Sequence, residues 1–134
     1  MNLYKISENY DNSSILENII QLNDAQVEIT FDNGLNGSGN IMLINSDKSV
    51  PFLMTIGNNG HIKYSYFSKD KWHIIGSAST SVEPFKIGIT IEGKDLLISI
   101  NDNLVSKVRT PVIYNPSIKI FNTFGHYFFN PIIK

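Results

Sequence analysis

The residue types that carry out catalysis are scattered through this sequence of 134 residues and form no recognised catalytic motif. It contains no cysteine, which excludes a thiolate nucleophile, a disulfide and a cysteine-ligated metal. The histidines His61, His73 and His126 lack the close spacing of a zinc site. No two acidic residues suggest the facing pair of a glycosidase, and no G-x-S-x-G nucleophile motif occurs. We therefore predict a protein that is not an enzyme and holds no metal or cofactor.

Residues suited to binding a ligand are easier to find. Trp72 is the single tryptophan and has polar neighbours on both sides, which favours an exposed ring that could stack on a sugar or a partner. The alternative is a tryptophan in the core or at a strand edge. Ser46 and Lys48 follow an apolar segment and could donate hydrogen bonds to a ligand, the alternative being an ordinary solvated loop.

Lys63 and Ser65 are further candidates for hydrogen bonds to a ligand. They alternate with Tyr64 and Tyr66, so one of the two sets lines a face of the strand and the other faces the core. A shift of one residue in register exchanges the two sets, and periodicity alone leaves both assignments open.

These candidates lie in or beside segments that alternate with period two, the pattern of half-buried strands. Examples are Gln26–Phe31, Phe85–Glu92 and residues 96–100. Glycine, asparagine and aspartate separate them at residues 32–34, 58–60, 92–95 and 101–103, which predicts turns. Residues 34–40 are expected to form a flexible loop, and residues 15–22 fit a strand better than a short capped helix. About ten to twelve short strands imply one all-β domain over residues 1–134.

Composition excludes several kinds of partner. The net charge is −1 and there is no long basic run, so we expect no nucleic-acid partner. No segment of about 18 apolar residues occurs, so no membrane insertion is expected. The N-terminal residues lack the apolar region of a signal peptide, which favours the cytoplasm or leaderless secretion. Aromatic residues between 121 and 129 predict a strand that closes the core, or alternatively a homodimer interface.

The order of features over residues 71–103 resembles the C-terminal half of a galectin carbohydrate-recognition domain. A strand containing Trp72 is followed by Pro84-Phe85, by the alternating strand to Glu92, by a turn, and by a strand that ends in an asparagine turn. Residues 98–102 look like the family's V-x-V-N-G segment. Residues 39–44 resemble the strand that carries its H-x-N-x-R motif. The resemblance implies an antiparallel two-sheet β-sandwich, a jelly roll of the galectin-like or concanavalin-like type.

The same resemblance implies where a sugar would bind. It matches Trp72 to the stacking tryptophan of the family, Lys48 to the motif arginine, and Ser46 and Ser65 to two asparagines. Ile44 stands in place of the motif histidine, so a glycan other than the usual β-galactoside is expected. The resulting hypothesis is a lectin that binds a glycan or glycoprotein through Trp72, Lys48, Ser46, Lys63 and Ser65. The alternative is a protein-interaction or structural domain that has lost sugar binding.

Overall fold

A computed structural model describes residues 4–6, 26–31, 38–57, 60–81, 85–124 and 127–133. These residues form two antiparallel sheets with the strand orders β1-β11-β2-β7-β8-β9 and β10-β3-β4-β5-β6. The strands are β1 (Tyr4–Ile6), β2 (Gln26–Phe31), β3 (Ser38–Ile44), β4 (Phe52–Ile56), β5 (His61–Ser68), β6 (Lys71–Ser79), β7 (Phe85–Glu92), β8 (Asp95–Ile100), β9 (Asn103–Arg109), β10 (Ser117–Phe124) and β11 (Tyr127–Ile133). The predicted all-β, two-sheet sandwich is confirmed.

The core lies between the two sheets and is built from the apolar half of each alternating strand. Phe85, Ile87 and Ile89 of β7 are at most 1% exposed, as the alternation predicted. Leu96 and Ile98 of the adjacent β8 are also fully buried. From the other sheet, β3, β4 and β5 contribute buried side chains that include Ile41, Leu43, Phe52, Met54, Ile56, Ile62 and Tyr64. Each of these strands therefore buries one face and leaves the other outward.

Tyr64 ties the two sheets together by a polar contact as well as by packing. Its ring is fully buried, and its hydroxyl lies 3.0 Å from the Ser106 hydroxyl on β9 of the opposite sheet. Burial raises the pKa of Tyr64 above its usual value of 10.0, and the Ser106 contact opposes that rise. A buried hydroxyl without such a partner would be destabilising, so this pair allows a tyrosine in the core.

One predicted loop is partly wrong. Residues 38–40, expected in a flexible loop, begin β3, where Gly39 pairs with Asn122 on one side and Ile56 on the other. Hydrogen bonding to strands on both sides outweighs the local preference of glycine and asparagine for loops. The predictions for residues 15–22 and 32–34 lie outside the described residues. The side chains of the C-terminal aromatic cluster lie outside the described part as well.

The described ranges contain no helix long and apolar enough to cross a membrane. Nor do they bring together three or more histidine or acidic side chains that could hold a metal ion.

Candidate functional site

The outward face of the five-stranded sheet carries two rows of side chains that run across the strands. One row joins Met42, Leu53, Ser65 and Ile74 on β3, β4, β5 and β6. The next row joins Asn40, Thr55, Lys63 and Ser77 on the same four strands. Since side chains of neighbouring strands in one row lie about 5 Å apart, each row forms a continuous surface.

A bulge in β6 places Trp72 on this outward face. Tyr64 pairs with Gly76 but the next residue, Ser65, pairs with Ile74, so Ile75 is the additional residue. Without it, period two would put Trp72 and Ile74 on the core face with Gly76. With it, Ile75 packs against the core, while Trp72 is 46% and Ile74 69% exposed.

Trp72 forms an aromatic pair with Phe67 at the end of the sheet. Phe67 is its cross-strand partner on β5, and the two rings meet edge to face with centroids 5.1 Å apart. Phe67 is itself 40% exposed. The pair holds the indole at the sheet end with much of its surface accessible to a ligand.

The turn that joins β3 to β4 lies at the same end of the sheet. Backbone hydrogen bonds from Asn45 N to Ser49 O (2.8 Å) and from Lys48 N to Asn45 O (2.9 Å) close the turn. Lys48 has a φ of 75°, a left-handed conformation. The Phe67 N–H donates to Val50 O at 3.1 Å, so the segment after the turn lies directly against β5.

Asn45 connects this turn to the segment between β9 and β10. Its side chain is 3% exposed, and Nδ2 donates to the Val112 carbonyl at 2.8 Å and to the Ser49 hydroxyl at 3.0 Å. Its Oδ1 accepts the Tyr114 N–H at 3.0 Å. These contacts bridge 67 and 69 residues of sequence, so one amide fixes two distant segments together.

Asp47 makes a second link between the same segments. Its carboxylate accepts the Ser49 hydroxyl at 2.5 Å and the Ser49 N–H at 2.9 Å. Hydrogen bonds from Ser49 and from the Tyr114 side chain lower the pKa of Asp47 from 3.8 to about 2. The bond to Asp47 correspondingly raises the pKa of Tyr114. Asp47 is therefore ionised at neutral pH and already engaged by donors of its own chain.

A cleft of about 220 Å³ opens between these segments. It is lined by Asn45, Ser49, Val50, Pro51, Phe67, Pro111, Val112 and Tyr114. Its walls are mostly apolar, and the hydrogen-bonding groups of Asn45 face partners within the chain. Because Phe67 also contacts Trp72, the cleft adjoins the exposed tryptophan.

The predicted site residues fall into two groups in the structure. Ser46 and Lys48 are exposed in the turn at the end of the sheet where Trp72 lies. Ser65 and Lys63 lie on the outward face of β5, in successive rows away from that end. Lys63 is exposed, whereas Ser65 is only 8% exposed, so Ser65 has little surface to offer a ligand. Lys63 and Phe67 are four residues apart on one strand, or about 14 Å.

Alternation in the sequence groups Phe67 with Lys63 and Ser65 but does not indicate Ile74, Val112 or Tyr114 as neighbours of Trp72. Phe67 and Ile74 occupy the same outward face, and Val112 and Tyr114 border the cleft. Alternation with period two places Phe67 on the same strand face as Lys63, but no local sequence pattern indicates residues 112 and 114. They reach the site through hydrogen bonds of Asn45 and Asp47, which join residues far apart in sequence.

Comparison with known proteins bears on the fold. No family model matches the sequence, and no curated protein matches it. Solved structures do match. The Caenorhabditis elegans galectin LEC-6 superposes with a TM-score of 0.70 at 11% identity, covering 97% of this chain and 95% of its own. Sheep galectin-11, solved in complex with glycerol, gives a TM-score of 0.65 at 9% identity over 87% of this chain and 94% of its own.

The fold is a galectin-like β-sandwich. A carbohydrate-binding module from Bacillus subtilis, CBM66, also matches, with a TM-score of 0.60 at 18% identity over 82% of this chain and 73% of its own. The resemblance seen in residues 71–103 is therefore confirmed at the level of the fold. At sequence identities this low, the similarity is one of backbone structure and gives no information about individual ligand-binding residues.

Proposed function

We propose that this chain, as one domain over residues 1–134, is a non-enzymatic carbohydrate-binding domain that holds a glycan or glycoprotein on the outward face of its five-stranded sheet. The observation that carries the proposal is the exposed indole of Trp72, turned outward by the β6 bulge and positioned by Phe67. An accessible aromatic face suits the apolar C–H surface of a sugar ring. Lys63 supplies a donor on the same face, and Lys48 and Ser46 lie at its end.

The fold supports the proposal independently of the residues. Matching structures include galectins and a carbohydrate-binding module. The spacing supports it as well, because the rows between Trp72 and Lys63 are continuous and offer a surface long enough for a short oligosaccharide.

A glycan array followed by titration tests the proposal. Trp72→Ala should weaken binding to the best glycan about tenfold, which corresponds to about 1.4 kcal/mol. The matched control is Leu104→Ala, which truncates another exposed apolar side chain on β9 of the opposite sheet and should leave binding unchanged. Since Trp72 is the single tryptophan, its fluorescence reports directly on this site. Absence of any glycan binding at millimolar concentration, with an indole emission unaffected by sugars, would refute the proposal.

The alternative, a protein-interaction domain, is favoured by the apolar residues on the same edge. Ile74 is 69% exposed beside Trp72, and among the described strands β6 pairs only with β5. Aromatic and aliphatic side chains on an edge strand suit a protein partner or a second copy of the chain. Light scattering with the wild type and Ile74→Ser distinguishes this function: a dimer that the substitution dissociates supports it, whereas a monomer in both cases argues against self-association.

A further inference from the structure

The five-stranded sheet contains no acidic residue in any of its strands. Neither aspartate nor glutamate occurs in β3, β4, β5, β6 or β10, whereas Lys63, Lys71 and Lys119 do. The strands of the opposite sheet include Glu28, Glu92 and Asp95. The acidic residues of the strands therefore all lie in the six-stranded sheet, whereas both sheets carry basic residues.

On the six-stranded sheet, Lys86, Lys107 and Arg109 each lie near an acidic side chain. The Lys86 ammonium lies 2.6 Å from Asp102 and 3.9 Å from Glu28. Asp95 lies 3.3 Å from Arg109 and 3.9 Å from Lys107. This surface has its own counter-charges and offers little to an anionic ligand.

Among the described residues, Lys63 has no such counter-charge. Within the part of the chain that the structure describes, no carboxylate pairs with its ammonium. Its neighbours in the row, Thr55 and Ser77, carry hydroxyls that can donate hydrogen bonds. Asn40 lies in the same row at 4% exposure, and its Nδ2 finds no acceptor among the described residues. The row combines a cation with neutral donors and lacks any anionic acceptor.

From this juxtaposition we infer that the ligand of the outward face is an acidic saccharide, whose carboxylate or sulfate group lies on the row of Lys63, Thr55 and Ser77. The inference rests on the proposed function and specifies its ligand class. An anionic group on the ligand supplies the charged acceptor that this row lacks, and charge-assisted hydrogen bonds are stronger than neutral ones. A neutral sugar ring on Trp72 would extend along the sheet to that group.

Matched pairs of oligosaccharides that differ only in charge test the inference. The probes are a galacturonic acid trisaccharide with its methyl ester, and a sulfated lactosamine with its unsulfated parent. We expect the acidic member of at least one pair to bind more tightly, and the pair that shows the difference identifies carboxylate or sulfate. This preference should decrease as salt rises above about 0.1 M, where the screening length is about 10 Å.

Lys63→Gln should weaken binding of the acidic member about fivefold, the effect of one charge contact at about 4 Å in water-like surroundings. Binding of the neutral member should be unchanged. The matched control is Lys107→Gln, which removes an exposed lysine from a strand of the opposite sheet and should have no effect.

Three outcomes would overturn the inference: equal binding of neutral and acidic members, an equal loss in Lys107→Gln, or equally tight binding of a single-stranded oligonucleotide. Equal binding of neutral and acidic members, if Trp72→Ala still weakens binding, leaves the proposed function intact and rejects only the acidic ligand. Absence of binding by every saccharide, with Trp72→Ala without effect, rejects both.

Discussion

Replacing Asn45 should destabilise the end of the sandwich where Trp72 lies. Asn45→Ala removes the hydrogen bonds to Val112 O, to the Tyr114 N–H and to the Ser49 hydroxyl. The Ser49 hydroxyl retains its hydrogen bond to Asp47, so losing the hydrogen bond between Asn45 and Ser49 should cost least. The Val112 carbonyl and the Tyr114 N–H lose a partner that is 3% exposed. At about 1 kcal/mol for each net hydrogen bond, and more where a buried group stays unpaired, we expect a loss of about 2–3 kcal/mol.

Urea unfolding monitored by circular dichroism measures this loss. Ser46→Ala, an exposed neighbour in the same turn, is the control and should change the free energy of unfolding by less than about 0.5 kcal/mol. Amide hydrogen exchange at Tyr114 should accelerate in Asn45→Ala because its N–H has lost its acceptor. An Asn45→Ala variant as stable as Ser46→Ala, with unchanged exchange at Tyr114, would refute the argument that one amide holds the two segments together.

Two further predictions concern hydrogen bonds away from the glycan face. Tyr64→Phe should lower the free energy of unfolding by about 1 kcal/mol because it removes the contact to Ser106. The control, Tyr66→Phe, should change it by less than about 0.5 kcal/mol. Equal effects of the two substitutions in urea unfolding would contradict the role of the Tyr64–Ser106 hydrogen bond. Asp47 has its pKa lowered in the folded state, so its contribution to stability is fully present above its unfolded pKa of 3.8 and is lost as pH falls toward about 2. The difference in Tm between the wild type and Asp47→Asn should therefore close over that interval, and a difference independent of pH would show that the carboxylate is not the stabilising group.

Alternation of apolar and polar residues was sufficient to predict the fold class and several strands. The bounds of β2 and β7 agree with the segments predicted from period two, since burying one face of a strand is a requirement on every second residue. Glycine at position 93 and asparagine at 101 mark turns correctly because both have positive φ, with values of 66° and 51°. Strand alternation and tight turns depend on residues adjacent in sequence and can therefore be predicted from the sequence.

The candidate site depended on contacts that no local pattern contains. Lys63 and Ser65 face outward because Ile62 and Tyr64 pack in the core, a choice of register that the opposite sheet imposes. Residues 112–114 contact the turn at 45–49 through hydrogen bonds to Asn45 and Asp47, which lie far away in sequence. Residues 38–40 form a strand because Gly39 and Asn40 pair on both sides and Ser38 pairs with Phe124, although their composition is that of a loop.

Trp72 shows most clearly what the sequence and the tertiary structure each determined. By itself the sequence indicated, from polar neighbours and a galectin-like order of strands, that a single tryptophan at this position suits a ligand. Strict alternation through β6 would have turned its ring into the core with Gly76. The bulge at Ile75 reverses its direction, and a bulge is set by pairing with β5 rather than by residues 71–79 alone. Only the tertiary structure therefore decided that the indole is exposed, beside Phe67 and on the face that carries Lys63.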